Sequence, residues 1–345
     1  MSARRRMIRN YPMGAAWIAA FVCIGSCIIR LDLTCYAQAP FLHSSYATES
    51  SGRSSPGDVN SNRIPHLHSN VDLVLVPAVV TDERNRPVLG LQKDSFSLYE
   101  GDERRQIQSF SAEDSPISIG LILDLSNSMQ STIEIERQAL AEFFKNANSE
   151  DDYFAIAVSQ RPELLADPSS SIETIQAKLA TATPAGYTAL LDAIHLGVGK
   201  LRSARYQRRV LLIISDGGDN ASRYTTEETK RLVQEEDVQI YAIRVFDALP
   251  FFRTMEEKFG NRLLSRITDA TGGRTISVDI KDGEKVPQIA AEISTELRNQ
   301  YVLGFRPGTA PRDGRWRKIK VRVIAPKTLT PLHIRAKTGY LPLTN

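Results

Sequence analysis

Fully apolar runs alternate with amphipathic, charged segments through the middle of the chain. Ile117 to Leu123, Tyr153 to Val158, Val210 to Ser215 and Val238 to Val245 read as strands, and the first and third are apolar enough to be buried on both faces, as in a parallel sheet. Between them, Ile133, Leu140, Phe143 and Phe144 form a helical stripe that starts from about Thr132. Further helices are predicted from Ser171 to Leu179, Thr188 to Arg202, Thr225 to Glu236, Asn261 to Ala270 and Val286 to Asn299, with Thr225 as an N-cap and Arg274 to Val278 as the last strand. Glu163 to Ala166 lies between Pro162 and Pro168 and reads as an antiparallel edge strand. This alternation predicts an α/β fold with a doubly wound, mostly parallel sheet over residues 115–300.

The flanks have a different period. In residues 71–112, the apolar run Val71 to Val80 is followed by a turn at Asp82 to Pro87, a strand Phe96 to Tyr99, a hairpin turn at Glu100 to Glu103, and an alternating strand from Arg105 to Phe110. In residues 301–345, strands are predicted at Tyr301 to Phe305, Trp316 to Ile324, Leu332 to Ala336 and Gly339 to Pro342. Each flank is too small to bury a core alone. The expectation is that they join into one β-sandwich beside the central domain.

Ahead of these lies a leader, residues 1–39. Arg4, Arg5 and Arg6 precede an apolar run from Met13 to Ile29, and Ala37-Gln-Ala39 offers small residues for cleavage. A secretory signal peptide is the leading reading; the alternative is an uncleaved membrane anchor through residues 13–29. Ile24-Gly-Ser-Cys27 has a faint likeness to a lipoprotein box, but Ile28 and Ile29 continue the apolar run. Every variant places the folded part outside the cytoplasm, secreted or periplasmic. Residues 40–70 are rich in Ser, Asn, Gly and Pro and read as a disordered linker, in which His66 and His68 lack further metal ligands.

Charge and cysteine content narrow the chemistry. Five arginines against Asp32 give the leader +4, more than the whole net charge of +3, so the rest of the chain is at about −1 and carries no general signal for a polyanion partner. The basic stretch Arg315 to Arg322 alternates with apolar residues and is the solvated face of a sheet, so no nucleic-acid partner is expected. Cys23, Cys27 and Cys35, the three cysteines, all lie in the leader, which excludes disulfides, thiolate catalysis and zinc ribbons from the remainder.

The candidate chemistry sits where the first buried strand ends. Asp124, Ser126 and Ser128 place a carboxylate and two hydroxyls on alternate residues, at the carboxyl end of a strand, where α/β folds bind ligands. Hard oxygens of low total charge suit Mg²⁺, Mn²⁺ or Ca²⁺. The plainer reading is that the serines cap the following helix. Thr188, in the loop Gly186-Tyr-Thr-Ala-Leu190, and Asp216, at the end of strand Val210 to Ser215, favour the metal. His195 lacks the G-x-S-x-G elbow of a hydrolase and reads as a packed or surface histidine. Gly197-Val-Gly199-Lys200 lies inside a helix and is no phosphate loop. Asp219 is assigned either to outer-shell water or to shaping the Gly217-Gly218 turn.

D-x-S-x-S, a later Thr in G-x-T-A-L and a strand ending in S-D-G, in that order, resemble the von Willebrand factor A domain. The resemblance implies a metal-ion-dependent adhesion site made of Asp124, Ser126, Ser128, Thr188 and Asp216. It also implies a protein partner that completes the metal site with an exposed Asp or Glu. Val79-Val-Thr-Asp82 and Gln300-Tyr-Val-Leu-Gly-Phe305 extend the likeness to secreted bacterial proteins related to that domain. The expected function is therefore metal-dependent protein binding of an adhesion type, not catalysis. Two rivals stand beside it: an envelope scaffold subunit whose metal only stabilises the fold, and a Mg²⁺-dependent phosphohydrolase. The latter normally needs a second carboxylate where Ser126 stands.

Overall fold

The computed structural model describes residues 73–168, 170–247, 255–308, 314–324 and 331–342. The leader, the 13–29 run and the 40–70 linker with its two histidines lie outside them. Among the described residues no helix is long and apolar enough to cross a membrane.

The N-terminal flank forms β1 (Val74–Thr81), β2 (Phe96–Glu100), β3 (Glu103–Arg105) and β4 (Ile107–Ser111). The central region follows with β5 (Ser118–Asp124), α1 (Ile133–Phe144), β6 (Asp152–Val158), β7 (Glu163–Ala166), α2 (Ile172–Thr181), α3 (Leu190–Leu201) and β8 (Arg209–Ser215). It continues through α4 (Thr226–Glu235), β9 (Gln239–Phe246), α5 (Met255–Thr268), β10 (Thr275–Asp279) and α6 (Val286–Arg298). The C-terminal flank supplies β11 (Tyr301–Phe305), β12 (Arg317–Val323), β13 (His333–Ala336) and β14 (Gly339–Tyr340).

The central sheet has the order β10-β9-β8-β5-β6-β7. All neighbours are parallel except β7, which runs antiparallel to β6 at the edge. Strand β5 is buried along its whole length, because helices cover both faces of the sheet. Leu140 and Phe143 of α1, Ile175 of α2 and Ile293 of α6 pack with Leu121 and Leu123 on one face. Ile194 and Val198 of α3, Val233 of α4 and Leu264 of α5 pack with Ile122 and Ile213 on the other. The sheet is doubly wound, and β5 and β8 meet at its switch point.

The two flanks interleave. One four-stranded sheet has the order β13-β1-β11-β4 and the other β14-β12-β2-β3, so each sheet contains strands from both ends of the described chain. Val76, Phe96 and Leu98 pack with Tyr301, Leu303, Phe305 and Ile319 in a core of their own. The basic stretch behaves as its pattern predicts: Ile319 is buried while Lys318, Lys320 and Arg322 are exposed.

Two expectations need correction. The single strand expected from Arg105 to Phe110 is two, because the chain changes sheets at Gln106: β3 pairs with β2, and β4 with β11. The helix expected from Asn261 begins six residues earlier, at Met255, and runs through Gly260. That glycine ends no helix; it allows a close approach. A Cβ built on Gly260 would lie 2.7 Å from the Gly217 carbonyl oxygen, and Gly217 itself has φ +83°. Only glycines fit both positions.

Deleting residues 301–345 removes β11 from between β1 and β4, and β12 from beside β2. Limited proteolysis should then cut within residues 73–112, which should resist in the full chain.

Candidate functional site

The switch point places two acidic residues side by side. Asp124 is the last residue of β5 and fully buried, and Asp216 follows the last residue of β8 and is almost as deeply buried. Asp124 is held at both oxygens: the Ser126 backbone N–H donates to Oδ1 at 3.0 Å, and the Ser215 hydroxyl donates to Oδ2 at 2.5 Å. Burial and the neighbouring charge of Asp216 raise the Asp124 carboxyl from its ordinary 3.8 to about 7. Asp216 is fixed in turn. Its Oδ1 accepts from the Gly218 N–H at 2.7 Å, and its carbonyl accepts from the buried Arg244 guanidinium at 2.8 Å.

Ser126 precedes a short 3₁₀ turn, Asn127–Ser131, yet makes no capping hydrogen bond with its side chain. Its hydroxyl instead lies 3.0 Å from that of Ser128. The capping alternative therefore fails for Ser126, and two hydroxyls converge beside Asp124. Thr188 lies in the loop before α3, with its backbone pinned from both sides. Its N–H donates to Asn220 Oδ1 at 2.8 Å, and its carbonyl accepts from the Asn220 and Ala221 N–H groups. Asn127 ties the loops after β5 and before α3 together, donating its N–H to the Gly186 carbonyl and accepting the Gly186 N–H on Oδ1. Asp124, Ser126, Ser128 and Asp216 thus share one rim of the sheet, and the Thr188 loop is bonded to both of the loops that carry them.

Several of these supports are invisible to motif reading. Asp219 has a role that neither reading from sequence named. Its Oδ1 accepts from the Leu190 and Leu191 N–H groups and from the Ser222 hydroxyl. It caps α3 from across the rim, where Ala189 has no side chain able to do so. Asp192 accepts from the Arg223 backbone and side chain, and Ser215, Asn220 and Asn127 join it as structural anchors. His195 is packed: Nε2 lies 3.1 Å from the Thr229 hydroxyl, and the ring stacks on Tyr224 at 3.6 Å.

One buried acid has no such support. Glu136 on α1 is buried, and neither carboxylate oxygen has a hydrogen-bond partner among the described residues. Burial first, then the Asp124 charge, hold its carboxyl well above the usual range.

A divalent ion fits this arrangement, because it would relieve the repulsion that burial imposes on Asp124 and Asp216. The set that would hold it contains two carboxylates and three hydroxyls. Among the described residues no three His, Cys, Asp or Glu side chains gather as a metal-binding group.

Two stability measurements follow. Acids whose folded pKa is raised favour the folded state at low pH, and that contribution is lost as pH rises through the folded value. In EDTA, Asp124 should therefore make the chain less stable, by a few kcal/mol, as pH rises from about 4 through about 7, read as a falling melting temperature. Replacing the unpartnered acid in Glu136→Leu should stabilise the EDTA-treated chain by ~1–3 kcal/mol, read by denaturant unfolding at neutral pH.

The family model of the von Willebrand factor type A domain matches residues 119–218. Among solved structures, the chain is similar to BatB from Bacteroides thetaiotaomicron at 18% identity, covering 52% of this chain and 98% of that one with a TM-score of 0.41. It is also similar to a von Willebrand factor type A protein from Catenulispora acidiphila at 9% identity, covering 72% and 75% with a TM-score of 0.46. Proximal thread matrix protein 1 from the mussel byssus, in a form with a zinc-occupied MIDAS motif, is similar at 14% identity, covering 57% and 49% with a TM-score of 0.44. No curated protein matches the sequence. Residues 119–218, from the buried strand that delivers Asp124 to the turn that follows Asp216, are a von Willebrand factor type A domain.

Proposed function

We propose that this protein is a metal-dependent binding module that works outside the cytoplasm and holds its partner through a divalent cation. The observation that carries this reading is the buried pair Asp124 and Asp216, with the Ser126 and Ser128 hydroxyls directed to the same rim. Two like charges in a dry site are unfavourable without a cation between them. Asp124, Ser126, Ser128, Thr188 and Asp216 would hold Mg²⁺, or Mn²⁺ or Ca²⁺ in its place. With two carboxylates among the five donors, the ion's charge is matched without surplus. A hard anionic oxygen from outside can still join it, and a partner's exposed Asp or Glu supplies one. Bound metal supplies electrophilic attraction for that carboxylate; the side chains around it only hold and orient.

Export rests on the leader, whose arginines and apolar run have the signal-peptide pattern. Binding is favoured over hydrolysis because Ser126 stands where the phosphohydrolase pattern needs its second carboxylate, and because the described His195 is stacked and bonded away from the acids.

Asp124→Ala should abolish Mg²⁺ and Mn²⁺ binding in calorimetry and leave the circular dichroism spectrum intact, since β5 packs through Ile119 to Leu123. Unchanged metal affinity in that variant would reject the assignment. Wild-type affinity should rise with pH up to about 7, because protons compete for Asp124 below that value.

A further inference from the structure

Beside the candidate metal rim lies a groove of about 1110 Å³ that the metal chemistry does not use. Its walls are the β6–β7 loop, the loop before α3, the outer face of α3 and the segment after Asp216. Two of these also build the rim. Tyr187 in the groove directly precedes Thr188, and Asn220 in the groove holds the Thr188 backbone. A chain that placed a carboxylate on the metal would enter this groove within a few residues, at ~3.3 Å per extended residue.

The lining is cationic and aromatic. Arg161, Arg202 and Arg223 face one carboxylate, Asp192. That carboxylate is already committed to Arg223 at 2.9 Å, and Arg202 pairs with Glu236 at 2.8 Å. Arg161 is exposed at the end of the groove nearest Pro162 and has no ion-pair partner among the described residues. Tyr187 is 62% exposed, an unusual position for a large aromatic ring, and the stacked His195 and Tyr224 rings form a flat wall. Arginine and tyrosine are the side chains that dominate binding energy at protein interfaces.

We infer that this groove is the second contact of the partner, and that it selects an acidic peptide segment whose further Asp or Glu side chains meet Arg161 while one carboxylate reaches the metal. The inference rests on the metal-bridged reading above and adds to it a rule for the partner's sequence. The single carboxylate gives attachment, and the flanking acids give selectivity through charge complementarity.

Two fluorescein-labelled peptides test it against the full chain in Mg²⁺ by fluorescence anisotropy. One is a Gly/Ser peptide with a single Asp; the other carries the same Asp followed by three Glu residues. The acidic peptide should bind roughly five- to tenfold more tightly, the range that a few exposed ion pairs supply. That advantage should shrink in high salt. Arg161→Glu should erase it and Arg161→Gln should reduce it, with single-Asp binding unchanged in both; Arg161 makes no ion pair whose loss would disturb the fold. Equal affinity of the two peptides for the wild type, no measurable binding of the acidic one, or an advantage that survives Arg161→Glu would overturn the groove assignment. EDTA separates the two readings. Binding that persists in EDTA yet depends on Arg161 rejects the metal bridge and keeps the groove, whereas loss in EDTA with indifference to Arg161 does the reverse.

Discussion

The structure around the rim depends on keeping two carboxylates close together in a dry place. Asp124 and Asp216 lie at the ends of the neighbouring strands β5 and β8, where the sheet's winding reverses and the covering helices leave an opening. Neither acid could be held there by apolar packing alone. Each is bonded by its own next turn, Asp124 by Ser126 N–H and Asp216 by Gly218 N–H, and the Ser215 hydroxyl joins the two strands by donating to Asp124. These bonds lower the cost of burial without cancelling it, which is why the Asp124 carboxyl still rises to about 7. The site is therefore under electrostatic strain that a cation would relieve.

Much of this was legible from the chain. The apolar runs located β5, β6, β8 and β9, because strands covered on both faces leave a continuous hydrophobic signature that no surface element imitates. The D-x-S-x-S and S-D-G segments carried the candidate residues because those residues sit within a few positions of the strand ends. The sandwich was legible by a different argument: neither flank had enough apolar surface to bury a core, so they had to share one, and β1, β11 and β13 do so.

What was not legible depends on contacts across the fold. Gly260 looks like a helix breaker until Gly217 is placed against it, and only then does it become the residue that lets α5 approach the Asp216 turn. Asp219 looks like part of a loop motif, yet its function is set by the two free N–H groups of α3, 29 and 28 residues away. Glu136 has an ordinary place in a charged helical segment. Its burial without a partner follows from the position of α1 beside Asp124, which sequence spacing does not specify. The split of β3 from β4 likewise depends on which sheet each half finds.

The sandwich meets the central domain away from the acidic rim. Several polar contacts join it to the central domain at the opposite end of the sheet from Asp124. Arg335 of β13 pairs with Glu296 on α6, which also accepts from Tyr241, and Lys337 pairs with Asp237 just before β9. Gln300 reaches Gln239 and Tyr241 at the same end. A seam of this kind adds little net stability compared with apolar packing, because each buried charge must first leave water. It does specify one orientation, since Glu296 is satisfied only when Arg335, Arg274 and Tyr241 arrive together. The backbone fits as closely: Gly272 lies against Lys337 with no room for a Cβ. Fixing the sandwich at the amino-terminal ends of the strands leaves the carboxyl-terminal rim, with its acids and the adjoining groove, unobstructed by the chain's other described module.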